Sequence, residues 1–291
     1  MDFTSGCCRT GGLRSGKEQQ GQPMRASRSV ISAFCLAITV SAAHAEPAKV
    51  FAAGSLIVPL KQAIKAADLD ASQIADPVFG PSGGLRERIE KGEAVDLFLS
   101  ADTGHPRTLA AERPQALMIP FARNNLCLFS REAIGLTEAN ALETMLDPKM
   151  RLATSTPIVD PGGDYAFAVF KRAEKIHAGA EAVLSQKALK LIGGPAAIKP
   201  VEGHSPAASI FLADKADILL VYCSGQQQTL REVPGLKVSR LPPEIDVVAT
   251  YGMVLLSDNP VAARLALFLL SNRGQDILAE NGLVKIAPPE R

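Results

Sequence analysis

The run Val95 to Ser100 reads VDLFLS, an almost fully apolar stretch of strand length. Such a strand is stable only where helices cover both faces of its sheet, and sheets covered that way are built from parallel βαβ units. The flanking sequence repeats the pattern. Lys49 to Ala53 (KVFAA) is a short apolar strand closed by Gly54-Ser55, after which Leu56, Leu60, Ile64 and Ala67 recur at helical spacing. Pro77 to Phe79 is a second short strand, followed by Gly80-Pro81-Ser82-Gly83-Gly84 and a charged helix from Leu85 to Lys91. Strand, turn and helix in alternation predict an α/β protein with a doubly wound sheet.

A second block in the same style begins at Asn125 to Ser130 (NLCLFS). It holds a strand at Arg151 to Ala153, a turn-rich segment from Thr156 to Asp164, and a helix from Tyr165 to His177. Beyond the Gly193-Gly194-Pro195 break come a helix from Ala207 to Ala213 and a strand from Asp217 to Tyr222. After Leu241-Pro242-Pro243, Val247 to Leu256 is a long apolar strand, and Pro260 to Leu270 and Gly274 to Asn281 read as terminal helices. No repeat of 20 to 50 residues is visible. The economical reading is two α/β lobes, each a doubly wound sheet: residues 46–124 with 252–291, and residues 125–251. The strands near 125–130 and 247–256 are the crossover hinges between them.

The charge balance, 31 Lys+Arg against 30 Asp+Glu in 291 residues, lacks the basic excess of a nucleic-acid binder. With 47% hydrophobic residues the chain can bury a core, which excludes a disordered or collagen-like protein. Residues 1–45 read as an upstream segment and a signal peptide. Arg25 and Arg28 precede the apolar run Val30 to Val40, and Ala43-His44-Ala45 is a small-x-small cleavage site. The run is too short for the roughly 20 residues of a membrane span, and Phe34 before Cys35 disfavours lipoprotein processing. Cleavage after Ala45 therefore predicts a soluble periplasmic protein with no membrane insertion, and Met24 is an alternative start. Of the five cysteines only Cys127 and Cys223 lie beyond Ala45. Secretion permits a bridge between them, but both sit in apolar runs, where buried free thiols are common, and free thiols are the expectation.

Ligands of open α/β sheets bind outside the carboxyl ends of the strands, where helix N-termini present unpaired N–H groups and favour an anion. Ser55 and Ser82 occupy two such turns, and Gly54, Gly83 and Gly84 leave the backbone open to close approach. Neither turn carries Lys or Arg before its helix, so a compact anion held by neutral donors is expected.

Three segments carry a specific resemblance: Phe51-Ala52-Ala53-Gly54-Ser55-Leu56, Phe79-Gly80-Pro81-Ser82-Gly83-Gly84-Leu85, and Val95 to Asp102 (VDLFLSAD). In order and spacing they resemble the periplasmic molybdate-binding proteins of ABC importers, a likeness that extends over residues 48–287. The resemblance implies a two-lobe periplasmic-binding-protein fold closing on molybdate or tungstate. It also implies no cofactor, no metal cation, an inner-membrane ABC permease as partner, and a monomer. By position it implies as ligands Ser55, Ser82, the amide of Gly162, the residue at His204 and the hydroxyl of Tyr222.

A dianion without protons at neutral pH wants donors only. Asp160, Asp164 and Glu202 cluster in the second-lobe turns, where helix capping is the ordinary role of such residues. A carboxylate reaching the ligand would repel a fully ionised anion and accept a proton from a protonated one, which points to a phosphate-like or organic ligand. In the family that the sequence resembles, the residue at the position of His204 contributes its backbone amide, so an imidazole there is a departure.

Gly80-Pro81-Ser82-Gly83-Gly84 also fits the G-x-S-x-G nucleophile elbow, and Asp160 or Asp164 followed by His204 gives a triad order. The elbow would come unusually early, with no oxyanion-hole segment upstream, so a Ser82 hydrolase is the weaker reading and a non-enzymatic binding protein the stronger. His105, His177 and His204 lie far apart and form no zinc motif.

Overall fold

The computed structural model describes residues 46–286; the signal segment and its cleavage site lie outside the described residues. In chain order the elements are β1 (Val50–Ala53), α1 (Ile57–Ala66), β2 (Val78–Gly80), α2 (Ser82–Glu90), β3 (Leu97–Ser100), α3 (Gly104–Ala111) and β4 (Ile119–Arg131). Then follow α4 (Ala141–Leu146), β5 (Leu152–Ser155), α5 (Pro161–Ala173), α6 (Ala180–Lys187), β6 (Leu189–Ile192), α7 (Pro206–Leu212) and β7 (Ile218–Tyr222). The last are α8 (Gln226–Glu232), β8 (Leu236–Arg240), β9 (Val248–Leu255), α9 (Pro260–Leu270) and α10 (Asn272–Glu280).

β1, β3 and β5 are buried at every position, as apolar strands covered on both faces must be. β1 pairs in parallel with β2 and β3, and β5 in parallel with β6 and β7. Each parallel group is closed by one antiparallel strand: β9 beside β3, and β4 beside β7. β4 is long enough to serve both groups. Residues 119–125 pair with β9, while 126–130 pair with β7 and 127–131 with β8. The sheet order is β2-β1-β3-β9-β4-β7-β5-β6, with β8 paired to β4.

The buried apolar residues divide along the same line. Two clusters draw on residues 48–122 and 249–283, and two on 126–247. Tyr165 and Tyr222 pack against a cluster of each kind. The result is a mixed α/β architecture of two lobes on one curled sheet.

Two helices begin earlier than the periodicity predicts. α2 starts at Ser82 rather than Leu85, and α5 at Pro161 rather than Tyr165. In α5 the apparent loop Pro161-Gly162-Gly163 is the first turn: Pro suits the N1 position, and the Asp160 side chain caps it by accepting from the Gly162 amide at 2.9 Å. The expectation of free thiols is also corrected, because Cys127 and Cys223 form a disulfide with 5.0 Å between Cα atoms. The β4–β7 register sets Cys127 opposite Val221, and the chain turns at Cys223 directly after Tyr222, so both thiols meet between paired strands.

Candidate functional site

The carboxyl ends of β1, β2 and β3 face those of β5, β6 and β7, and the two sets touch. The Gly83 amide donates to the Val159 carbonyl at 2.9 Å, so α2 begins against the turn after β5. The ring of Pro81 lies 3.2 Å from the point where a Cβ on Gly193, just past β6, would sit. The Tyr222 hydroxyl, at the end of β7, reaches the Ala101 carbonyl, just past β3, at 3.5 Å. The lobes are therefore closed on one another. Ser82 is only 1% exposed in this arrangement.

Ser55 stands in the 3-10 turn after β1, and its hydroxyl is 2.9 Å from the Tyr251 hydroxyl. Tyr251 in turn accepts from the Asn124 side-chain amide at 3.1 Å, which ties Ser55 to β9 and β4. The Ser82 hydroxyl accepts from the Ala101 amide at 3.1 Å. Gly162 is buried, and a Cβ there would lie 3.2 Å from the Ser155 hydroxyl and 3.3 Å from the Tyr222 ring. Ser82, Gly162 and Tyr222 thus meet at the junction of the lobes, and Ser55 is joined to them only through Tyr251, whose ring packs against that of Tyr222.

His204 does not join it. Its amide donates to the Val201 carbonyl at 3.0 Å and its Nδ1 lies 2.9 Å from the Glu202 carbonyl, so its bonds stay within its own loop. The next residue, Ser205, caps α7 and is held by Glu232 at 2.6 Å, which fixes that loop against α8.

All three tyrosines of the chain gather here. Tyr222 lies 6.4 Å from Tyr165 and 5.7 Å from Tyr251, ring centre to ring centre. Burial raises the pKa of all three hydroxyls, that of Tyr165 to about 12. They therefore stay protonated at neutral pH. Among the described residues, no Lys or Arg side chain hydrogen-bonds to any of these groups, and no group of three His, Cys, Asp or Glu could hold a metal ion.

Asp160 brings a carboxylate to the junction. Its carboxylate accepts from the Gly162 amide at 2.9 Å, and burial pushes its pKa up to about 6. Asp164 is also raised, by partial burial first, with its carboxylate bonded to the Ile158 amide at 2.9 Å. Sequence reading missed Tyr251 and Ser155. Tyr251 is fully buried inside the apolar run of β9, where it reads as core.

The elbow reading of Ser82 lacks its machinery. Ser82 opens a helix and is not among the residues with positive φ, and its hydroxyl meets the Ala101 amide rather than an imidazole.

Two α/β lobes, joined by strands that cross between them, thus meet over a shared polar junction. The chain belongs to the bacterial extracellular solute-binding protein family, whose model matches residues 48–284. It is 38% identical over 205 residues to a functionally uncharacterized protein of Pasteurella multocida, covering 70% of this chain and 84% of that one. Its fold is similar to that of the periplasmic molybdate-binding protein of Azotobacter vinelandii, with TM-score 0.61 and 19% identity over 83% of this chain and 99% of the other. The sulfate-binding protein of Mycobacterium tuberculosis is also similar, with TM-score 0.64 and 15% identity over 84% and 88%. Among the described residues no helix is long and apolar enough to cross a membrane.

Proposed function

We propose that this protein captures a compact tetrahedral oxyanion between its lobes, molybdate or tungstate being the first candidates, and presents the closed form to an inner-membrane ABC permease from the periplasm. The observation that carries the reading is the convergence of hydroxyl and amide groups from Ser55, Ser82, Gly162, Tyr222 and Tyr251 on one junction, without a cation among their partners. Preorganised neutral donors in a desolvated cleft replace the hydration shell of an anion and leave its charge spread over several bonds. The molybdate- and sulfate-binding neighbours support the same ligand class. Donors from both lobes make the anion a bridge, so binding shifts the population toward closure. The chain works as a monomer in this reading and needs no cofactor.

Asp160 favours a second candidate within the class, a phosphate-like anion that carries its own proton. The test is a thermal-shift and calorimetry panel on residues 46–291 with molybdate, tungstate, sulfate, phosphate and small carboxylates. A ligand held a hundredfold above its Kd raises stability by about 2.7 kcal/mol. Stabilisation by one or more tetrahedral oxyanions is expected. Stabilisation by carboxylates alone, or by none of the panel, rejects the proposal.

A further inference from the structure

Asn124 is fully buried on β4, in the stretch of that strand that pairs with β9, and its side-chain amide begins a chain of hydrogen bonds. The amide nitrogen donates to the Ser224 hydroxyl at 2.8 Å, in the turn after β7, and to the Tyr251 hydroxyl at 3.1 Å. The Tyr251 hydroxyl is in turn 2.9 Å from that of Ser55. The carbonyl oxygen of the same amide is buried without a partner. That asymmetry fixes which way the amide faces. Turned over, it would bury two N–H donors where nothing accepts from them, which costs more than one unpaired carbonyl oxygen. An amide nitrogen only donates, so Tyr251 accepts from Asn124 and its own hydrogen is left for Ser55. Phe121 and Tyr222, with ring centres 6.2 and 5.7 Å from that of Tyr251, hold the phenol in place. The Ser55 hydroxyl therefore accepts from Tyr251, and among the described residues its own hydrogen meets no acceptor. Each link in such a chain polarises the next.

We propose that Asn124 is a positioning residue: acting through Tyr251, it commits the Ser55 hydroxyl to donate into the cleft, so that this corner of the site accepts a bare oxygen and disfavours a group that itself brings a hydrogen. Ser55 stands partly exposed in the Gly54–Leu56 turn at the carboxyl end of β1, where the oxyanion reading seats the ligand. Without Asn124, Ser55 and Tyr251 are free to exchange donor and acceptor roles, and the serine spends part of its time donating to the phenol. Realigning it would then cost part of the ligand's binding energy. Asn124 and Tyr251 come from β4 and β9, the two strands that cross between the lobes, so the hinge rather than the cleft wall sets the polarity of the donor. The inference rests on the oxyanion reading and adds to it how one of the proposed ligand groups is oriented.

The experiment is calorimetry at neutral pH with sodium molybdate, sulfate and phosphate. It compares the wild type with Ser55→Ala, Tyr251→Phe and Asn124→Leu, and with the two double variants that combine each of the last two with Ser55→Ala. Tyr251→Phe keeps the ring and Asn124→Leu roughly keeps the volume; where Asn124→Leu shows no cooperative melting transition, Asn124→Ala takes its place. With an anion that the wild type binds, Ser55→Ala should weaken binding at least about tenfold. Tyr251→Phe and the Asn124 variant should each weaken it about threefold to tenfold when Ser55 is present, and less than about twofold when Ser55 is already alanine. A loss of the same size in both backgrounds would mean that the two residues shape the cleft rather than orient Ser55, and it overturns the inference. Unchanged affinity in Ser55→Ala or in Tyr251→Phe overturns it as well. Either result leaves the oxyanion reading intact, whereas absence of wild-type binding to all three anions rejects that reading and the inference with it.

Discussion

Ser82 and Tyr222 reach the junction from opposite lobes, and each offers one hydroxyl there, linked through the two sides of Ala101. A hydrogen bond to a charged group contributes about 1.5–3 kcal/mol. Ser82→Ala and Tyr222→Phe should therefore each weaken oxyanion binding by about 1–3 kcal/mol in calorimetry, and unchanged affinity in both variants would remove the proposed site. Asp160 makes a different kind of contribution. Burial pushes its pKa up to about 6, above the 3.8 of a free aspartate, so the folded protein binds its proton more tightly than the unfolded chain does. Stability from this group is fully present below about pH 3.8 and is lost as pH rises through about 6. At neutral pH the protein therefore carries a buried carboxylate whose desolvation the Gly162 hydrogen bond offsets only in part. Asp160→Asn should raise its unfolding free energy at pH 7.5 by about 1–3 kcal/mol, with the gain shrinking as pH falls from 6 to 4. Denaturant melts across that range test the slope, and a gain independent of pH would assign the effect to packing instead.

At the scale of elements, the disulfide joins β4, which crosses between the lobes, to the turn that follows Tyr222. It spans 96 residues of sequence, and closing so long a loop restricts the unfolded chain strongly. Cys127→Ala with Cys223→Ala should lower stability by about 2–4 kcal/mol in denaturant titration, and no change in midpoint would show the bridge to be absent or inert. The pairing is invisible in sequence because it depends on register, whereas the strands themselves are legible. Runs such as VFAA in β1 and LFLS in β3 announce themselves by being apolar on both faces. β6 and β8 lie at the sheet's margins and are partly exposed, and their mixed composition gives no such signal. Short helices such as α4 and α8, of 6 and 7 residues, are also too brief for a periodic pattern. The site divides in the same way. Ser55 and Ser82 are readable from Gly-flanked turns between strand and helix. Tyr251 hides in an apolar strand, and Asp160 looks like any N-cap until the opposite lobe is seen packing near it. At His204 local turn bonds take up the amide that the resemblance would aim at the ligand.

For the whole molecule, the proposed function has the lobes part and meet again, and Gly83 is where meeting leaves no room. A Cβ at that position would lie 2.3 Å from the Ile158 carbonyl oxygen and 2.8 Å from that of Val159, both backbone atoms of the opposite lobe. The turn that Gly83 meets is itself strained: Ile158, a β-branched residue, has φ of 72° and an exposed side chain. With the lobes apart, nothing of that turn meets α2, and alanine suits a helix better than glycine by about 1 kcal/mol. Gly83→Ala should therefore leave the unliganded melting temperature unchanged or slightly higher while blocking closure. Oxyanion affinity should fall at least about tenfold, since the ligand loses its contacts to one lobe. Small-angle scattering should give the variant with saturating ligand the same radius of gyration as without it, where the wild type contracts. A variant that binds and contracts normally would mean that the turn after β5 yields to the added methyl, and that the close approach at Gly83 does not control capture.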